Sequence, residues 1–144
     1  MRQHVRFAGA IGLAVCLAWP AAAEECQFDK TAADASFNQA LEAIVAHQGY
    51  AWACAPYIGD GLAQSNTVNI EMLLRDSGFK PADAIAKAGD LDAQAKKGAE
   101  LHPIGSAGAT RQEVVTACSQ LMDEQYQKFR AARADMIKAQ CADE

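Results

Sequence analysis

The sequence predicts an all-α fold, a small disulfide-stapled bundle of four to five helices with a long C-terminal helix. Three observations carry this prediction. Apolar residues recur at steps of three and four through most of the chain. No stretch of useful length alternates apolar and polar residues as a half-buried strand would. Four cysteines follow a leader-like segment, an even number whose spacings suit neither a metal site nor a redox motif.

Residues 1–23 read as a removable export signal. Arg2 and Arg6 give a positive front, 7–19 an apolar run, and Ala21-Ala22-Ala23 an A-x-A cleavage site. The run is shorter than the roughly 20 residues that cross a bilayer, and nothing later is continuously apolar, so no membrane span is expected. A lipoprotein box at Cys16 is the competing reading, but Val15 is bulky where that processing needs a small residue. Cleavage leaves 24–144 as a single helical domain, expected to be periplasmic or secreted. Of 13 basic residues in the chain, Arg2 and Arg6 leave with the signal, so 11 face 18 acidic ones, a net charge near −7. That balance argues against nucleic acid and anionic membranes as partners; it suits one basic partner protein, or solubility alone.

The first helix is expected over 31–47, with Phe37, Leu41, Ile44, Val45 and Gln48 on one face, Asp34 or Thr31 as cap and Gly49 as stop. The aromatic stretch Tyr50, Trp52 and Tyr57 around Cys54 reads as core packing, with helix possible up to Pro56 and a turn at Gly59-Asp60-Gly61. A short helix over 68–77 follows, capped by Asn66 or Thr67, with Ile70, Leu73 and Leu74 inward. Gly78 and Phe79 suit a Schellman stop. Pro81 opens the next helix, whose face holds Ala84, Ile85, Ala88, Leu91, Ala95 and Ala99; Gly89-Asp90 is a potential break. Residues 101–109, with Pro103, Gly105 and Gly108, form the longest loop.

The long last helix covers 110–141. Thr110 and Glu113 form a T-x-x-E capping box, and Val114, Cys118, Leu121, Gln125, Phe129, Ala132, Met136 and Ala139 make its stripe, with Val115, Met122, Tyr126 and Ile137 widening it. Along that helix Cys118 and Cys141 lie 23 residues apart, about 34 Å at 1.5 Å per residue, which excludes a bond between them. Two pairings remain. The nested one, Cys26 with Cys141 and Cys54 with Cys118, fits if the first and last helices are antiparallel; the crossed one needs them parallel, which the long middle segment permits.

Little in the sequence points to catalysis. Outside the leader only His47 and His102 occur, 55 residues apart with no metal-binding spacing, and His47 reads as a cation near a helix C-terminus. Asp90 with Asp92, and Asp123 with Glu124, are acidic pairs without aromatic subsites. No enzyme, cofactor or metal is expected.

Trp52-Ala-Cys54, the helix opening Lys80-Pro81-Ala-Asp83-Ala84, and Thr110 to Gln120 with Val114-Val115 and Cys118-Ser resemble the HdeA-type periplasmic acid-stress chaperones across roughly 50–138. The chain differs from that family in a longer middle segment and a second cysteine pair. The resemblance implies a small exported helical protein that protects unfolded periplasmic clients during acid stress. Its client-binding apolar face is expected around Phe37, Leu41, Leu121 and Phe129. The alternative is an inhibitor or immunity protein against an envelope toxin or cell-wall hydrolase, presenting the 101–109 loop to a basic cleft. A carrier of a small apolar ligand is a third class.

Overall fold

The computed structural model describes residues 26–105 and 107–141; the proposed leader and Cys16 lie outside them. Four helices account for most of these residues: α1 (Lys30–Ile58), α2 (Gly61–Asp76), α3 (Pro81–Leu101) and α4 (Arg111–Ala139). The fold is therefore the all-α bundle with a long C-terminal helix that the periodicity predicts.

The two 29-residue helices, α1 and α4, are each about 44 Å long at 1.5 Å per residue. They run antiparallel, and a disulfide joins them toward each end. Cys26 bonds Cys141 with 5.6 Å between Cα atoms, and Cys54 bonds Cys118 with 5.9 Å. The nested pairing is thus the one present. The Asp29 N–H also donates to the Ala139 carbonyl at 3.0 Å beside the first bond.

The terminal signals of α4 and α2 form as the sequence suggests. Glu113 N–H donates to Thr110 Oγ1 at 3.3 Å and Thr110 N–H to Glu113 Oε2 at 2.8 Å, the reciprocal bonds of a capping box. At the end of α2, Phe79 N–H reaches the Leu74 carbonyl at 3.0 Å and Gly78 N–H the Arg75 carbonyl at 2.9 Å. This Schellman pair needs the φ of +97° that Gly78 adopts without a Cβ clash.

Other boundaries differ from expectation. Helix α1 does not stop at Gly49 but runs through it and through Pro56 to Ile58, where Gly59 at φ +88° closes it. A glycine weakens a helix interior by only about 1 kcal/mol, less than the burial of Ala51 and Cys54 on the next turn returns. Pro56 stands in the last turn of α1, where it forfeits its own bond to the carbonyl four residues back and the helix ends two residues later. The α1 cap is Asp29, whose side chain accepts from Ala32 N–H at 3.0 Å; Asp34 instead pairs with Lys30. Helix α2 begins at Gly61, seven residues before the predicted start, so Asn66 and Thr67 lie inside it and cap nothing. Helix α3 passes unbroken through Gly89-Asp90, and its Ile85 is 54% exposed instead of facing inward.

The core has two parts. One cluster joins Ala40, Ala43 and Ile44 of α1 with Ile70, Leu73 and Leu74 of α2, Ala84 and Ala88 of α3, and Phe129, Ala132 and Met136 of α4. The other joins Ala51 and Cys54 with Ala63, Val114, Cys118 and Met122. Between them, on α1 and α2, the buried positions are polar.

Candidate functional site

Three polar residues are buried among the described residues: His47 (5% exposed), Gln48 (0%) and Asn66 (1%). They stand side by side. Following α1 from Ile44 to Ala51, the inward face passes from one apolar cluster to the other across His47 and Gln48. On α2 the same transition, from Ala63 to Ile70, crosses Asn66. The result is a polar belt separating the two halves of the core.

Gln48 is its centre. Its side-chain Nε2 donates to the Ala63 carbonyl at 2.8 Å and to an Asp92 carboxylate oxygen from α3, with Thr67 Oγ1 more distant at 3.4 Å. Its Oε1 accepts from Asn66 Nδ2 at 2.6 Å. Asn66 reaches back to the Ile44 carbonyl at 3.4 Å, and its Oδ1 accepts from Asn69 at 3.3 Å. The same Asp92 oxygen accepts from Trp52 Nε1 at 2.6 Å, and Lys96 Nζ sits 4.5 Å from the Trp52 ring centroid. One glutamine thus ties α1 to both α2 and α3. A buried side chain of this kind is acceptable only because its donors and its acceptor are all engaged.

His47 is different. It packs against Tyr126 of α4 with ring centroids 5.7 Å apart, and its Nδ1 is buried without a hydrogen-bond partner. Burial pushes its pKa below the ordinary 6.5, while the Asn66 side chain acts weakly in the other direction. It is not the terminal cation expected from sequence, because α1 continues eleven residues beyond it.

A second polar tie holds α2 to α4. At its C-terminal end, Asp76 accepts from Arg133 Nη2 at 2.6 Å and from Nε at 2.8 Å, both side chains about one-third exposed. Helices α2 and α3, which contain no cysteine, therefore rest on the stapled pair through apolar contact and through polar ties centred on Asp92 and Asp76.

The residues proposed as a client-binding face lie mostly inward. Phe129 is 4% exposed, and Phe37 and Leu41 are half-buried against the same cluster, so these three are brought together. Leu121 is half-buried and belongs to neither cluster. Tyr50, Trp52 and Tyr57 pack on the cluster around Cys54–Cys118, as the core reading expects. The loop after α3 is pinned. Ile104 packs on that cluster, Arg111 Nη2 donates to the Tyr57 carbonyl at 2.8 Å, and a Cβ on Gly105 would sit 3.3 Å from Val114. The acidic residues of the two sequence pairs serve different ends. Asp90 is exposed, Glu124 pairs with Lys128 at 2.6 Å, Asp123 accepts from Gln127 at 3.4 Å, and only Asp92 enters the belt.

Compared with family models, curated proteins and solved structures, the chain matches none. The site must therefore be read from its own chemistry. Among the described residues no group of three His, Cys, Asp or Glu could hold a metal ion, and no helix is long and apolar enough to cross a membrane. The belt has no nucleophile beside a base. What it can do is respond to protons at His47, whose imidazole adjoins the contacts between helices.

Proposed function

We propose that this is a non-enzymatic, cofactor-free exported protein that acts as an acid-stress chaperone for unfolded periplasmic proteins. The carrying observation is the division of labour in the fold: α1 and α4 are covalently stapled, whereas α2 and α3 are docked through ties that include two carboxylates. Strong acid neutralises carboxylates as a class, and without the leader it leaves about 13 positive side chains and no negative ones once both histidines are charged. Self-repulsion and the loss of these ties then favour release of α2 and α3. The apolar surface they cover, with Ile44, Phe37, Leu41 and Phe129 at its centre, becomes available to clients beside the half-buried Leu121 of α4. The disulfides keep that surface on one compact pair of helices. On neutralisation the same ties re-form and the surface closes.

Two further features support this reading. The Cys54–Cys118 bond joins two of the segments that resemble HdeA-type chaperones, and disulfides persist in oxidising compartments such as the periplasm. The loop after α3 is held at Ile104 and Gly105, which suits a connector better than an inserting arm.

The test is a pH series on the purified chain without its leader. Near pH 2 it should bind an apolar dye, keep its far-UV helical signal, lose near-UV signal, and suppress aggregation of an acid-denatured client. Unchanged near-UV signal at pH 2, or no effect on the client, overturns the reading and returns the inhibitor alternative, for which co-purification with one basic protein is the readout.

A further inference from the structure

Most positions as deeply buried as His47 hold an apolar side chain in this protein, and a leucine or phenylalanine there would leave no polar atom unpaired. The histidine leaves Nδ1 without a partner in the middle of the α1–α4 seam, beside the only glutamine that joins α1 to both α2 and α3 among the described residues. A buried polar group left unsatisfied in a native fold calls for a reason.

The surroundings of the ring are poor in compensating charge. From α4 it meets the phenol ring of Tyr126, and from α2 the neutral amide of Asn66. The belt carboxylate of α3, Asp92, is bonded to Gln48 and Trp52, and none of the described ion pairs includes His47. A proton added to this imidazole therefore creates a buried cation without a counter-ion, relieved by a tilted aromatic face and by the neutral Asn66 side chain.

Resting on the chaperone reading above, we propose that His47 is the trigger of the fold: its protonation breaks the polar belt between α1 and α2 and releases α2 and α3, while the disulfides hold α1 to α4. The sign follows from linkage. A histidine whose folded pKa is depressed binds fewer protons in the native state than in the opened one, so its stabilising contribution is full above 6.5 and is lost as pH falls through the folded value. Opening is then favoured increasingly as pH falls below 6.5.

The experiment follows near-UV circular dichroism against pH for the chain without its leader and for His47→Phe, His47→Gln and His102→Gln, with client aggregation assayed in parallel. His102 is exposed at the end of α3, so its variant removes an equal charge from an uncovered site. The two His47 variants should open at a pH lower by about one unit, and the His102 variant where the parent does. If both His47 variants open where the parent does, the trigger is overturned, whatever the chaperone assay shows. Should neither variant fold at neutral pH, the His47 ring signal in the parent decides by NMR. Titration in one step with the loss of tertiary signal supports the trigger, and titration within an intact fold overturns it. A protein that opens through His47 yet leaves the client to aggregate keeps the trigger and retires the chaperone reading.

Discussion

At the scale of single residues, Gln48 does most to hold the helices in register, and its loss should be felt at several partners. Gln48→Leu leaves Asn66 Nδ2 with only its 3.4 Å contact to the Ile44 carbonyl, and it removes one donor from Asp92. We expect a loss of about 2–4 kcal/mol in urea unfolding at pH 7, because unsatisfied buried groups cost more than a hydrogen bond contributes. Changing Asn66 to Leu as well should recover part of it, since both partners of the shortest amide pair then become apolar. A single variant within about 0.5 kcal/mol of the parent would show that the belt does not hold the helices. This site was only partly legible in the sequence. Gln48 falls on the apolar face of a helical projection, between Ile44 and Ala51, and a glutamine at such a position is the one signal that a buried partner exists. Asn66 pointed to a helix start because asparagine favours caps, and Asp92 could not be told from exposed Asp90 without knowing where α3 lies against α1.

For whole elements, local signals at helix ends were reliable where their chemistry is specific and unreliable where a residue merely disfavours helix. Thr110→Ala should cost about 1 kcal/mol, measured as a shift in thermal midpoint, since it deletes the accepting oxygen of the capping box. Thr110 also holds the Glu113 pKa below its ordinary 4.5, first through its backbone N–H and then through its hydroxyl. Glu113 thus adds stability that is present above its unfolded pKa and lost as pH falls through the folded one. The difference between Glu113→Gln and the parent should accordingly be widest near neutrality and vanish in strong acid, a comparison made by urea titration at several pH values. The T-x-x-E box and the Gly78 stop were readable because each needs named atoms at fixed offsets. Gly49 and Gly89-Asp90 misled because tertiary contacts on the following turns override a weak preference. Gly49 has no atom within 4 Å of where a Cβ would stand, so Gly49→Ala should raise stability by about 0.5–1 kcal/mol.

For the molecule as a whole, the two disulfides and the two core clusters predict uneven stability. Native-state hydrogen exchange near pH 4 should reveal amides of α2 and α3 exchanging together, ahead of those in α1 and α4. Equal protection in all four helices would mean that the fold opens as one unit. Replacing both Cys26 and Cys141 by Ser should cost about 4 kcal/mol in the chain-entropy model, and it should erase the difference in exchange by letting α1 part from α4. The pairing was derivable only as far as excluding Cys118–Cys141. The choice between nested and crossed forms depended on helix direction, which spacing within a single helix does not encode.

The nested bonds also give the backbone an unusual covalent connectivity. Residues 54 to 118 form a closed ring through their disulfide, and the chain on either side of the ring is tied again at Cys26–Cys141. A single peptide cut anywhere in the ring, most accessibly at the exposed residues around Pro103 or Gly108, opens the ring without separating the pieces. A protease that nicks this segment would leave a two-chain molecule of unchanged mass apart from one added water, with α1 and α4 still in register. Such a molecule separates into two polypeptides only on reduction.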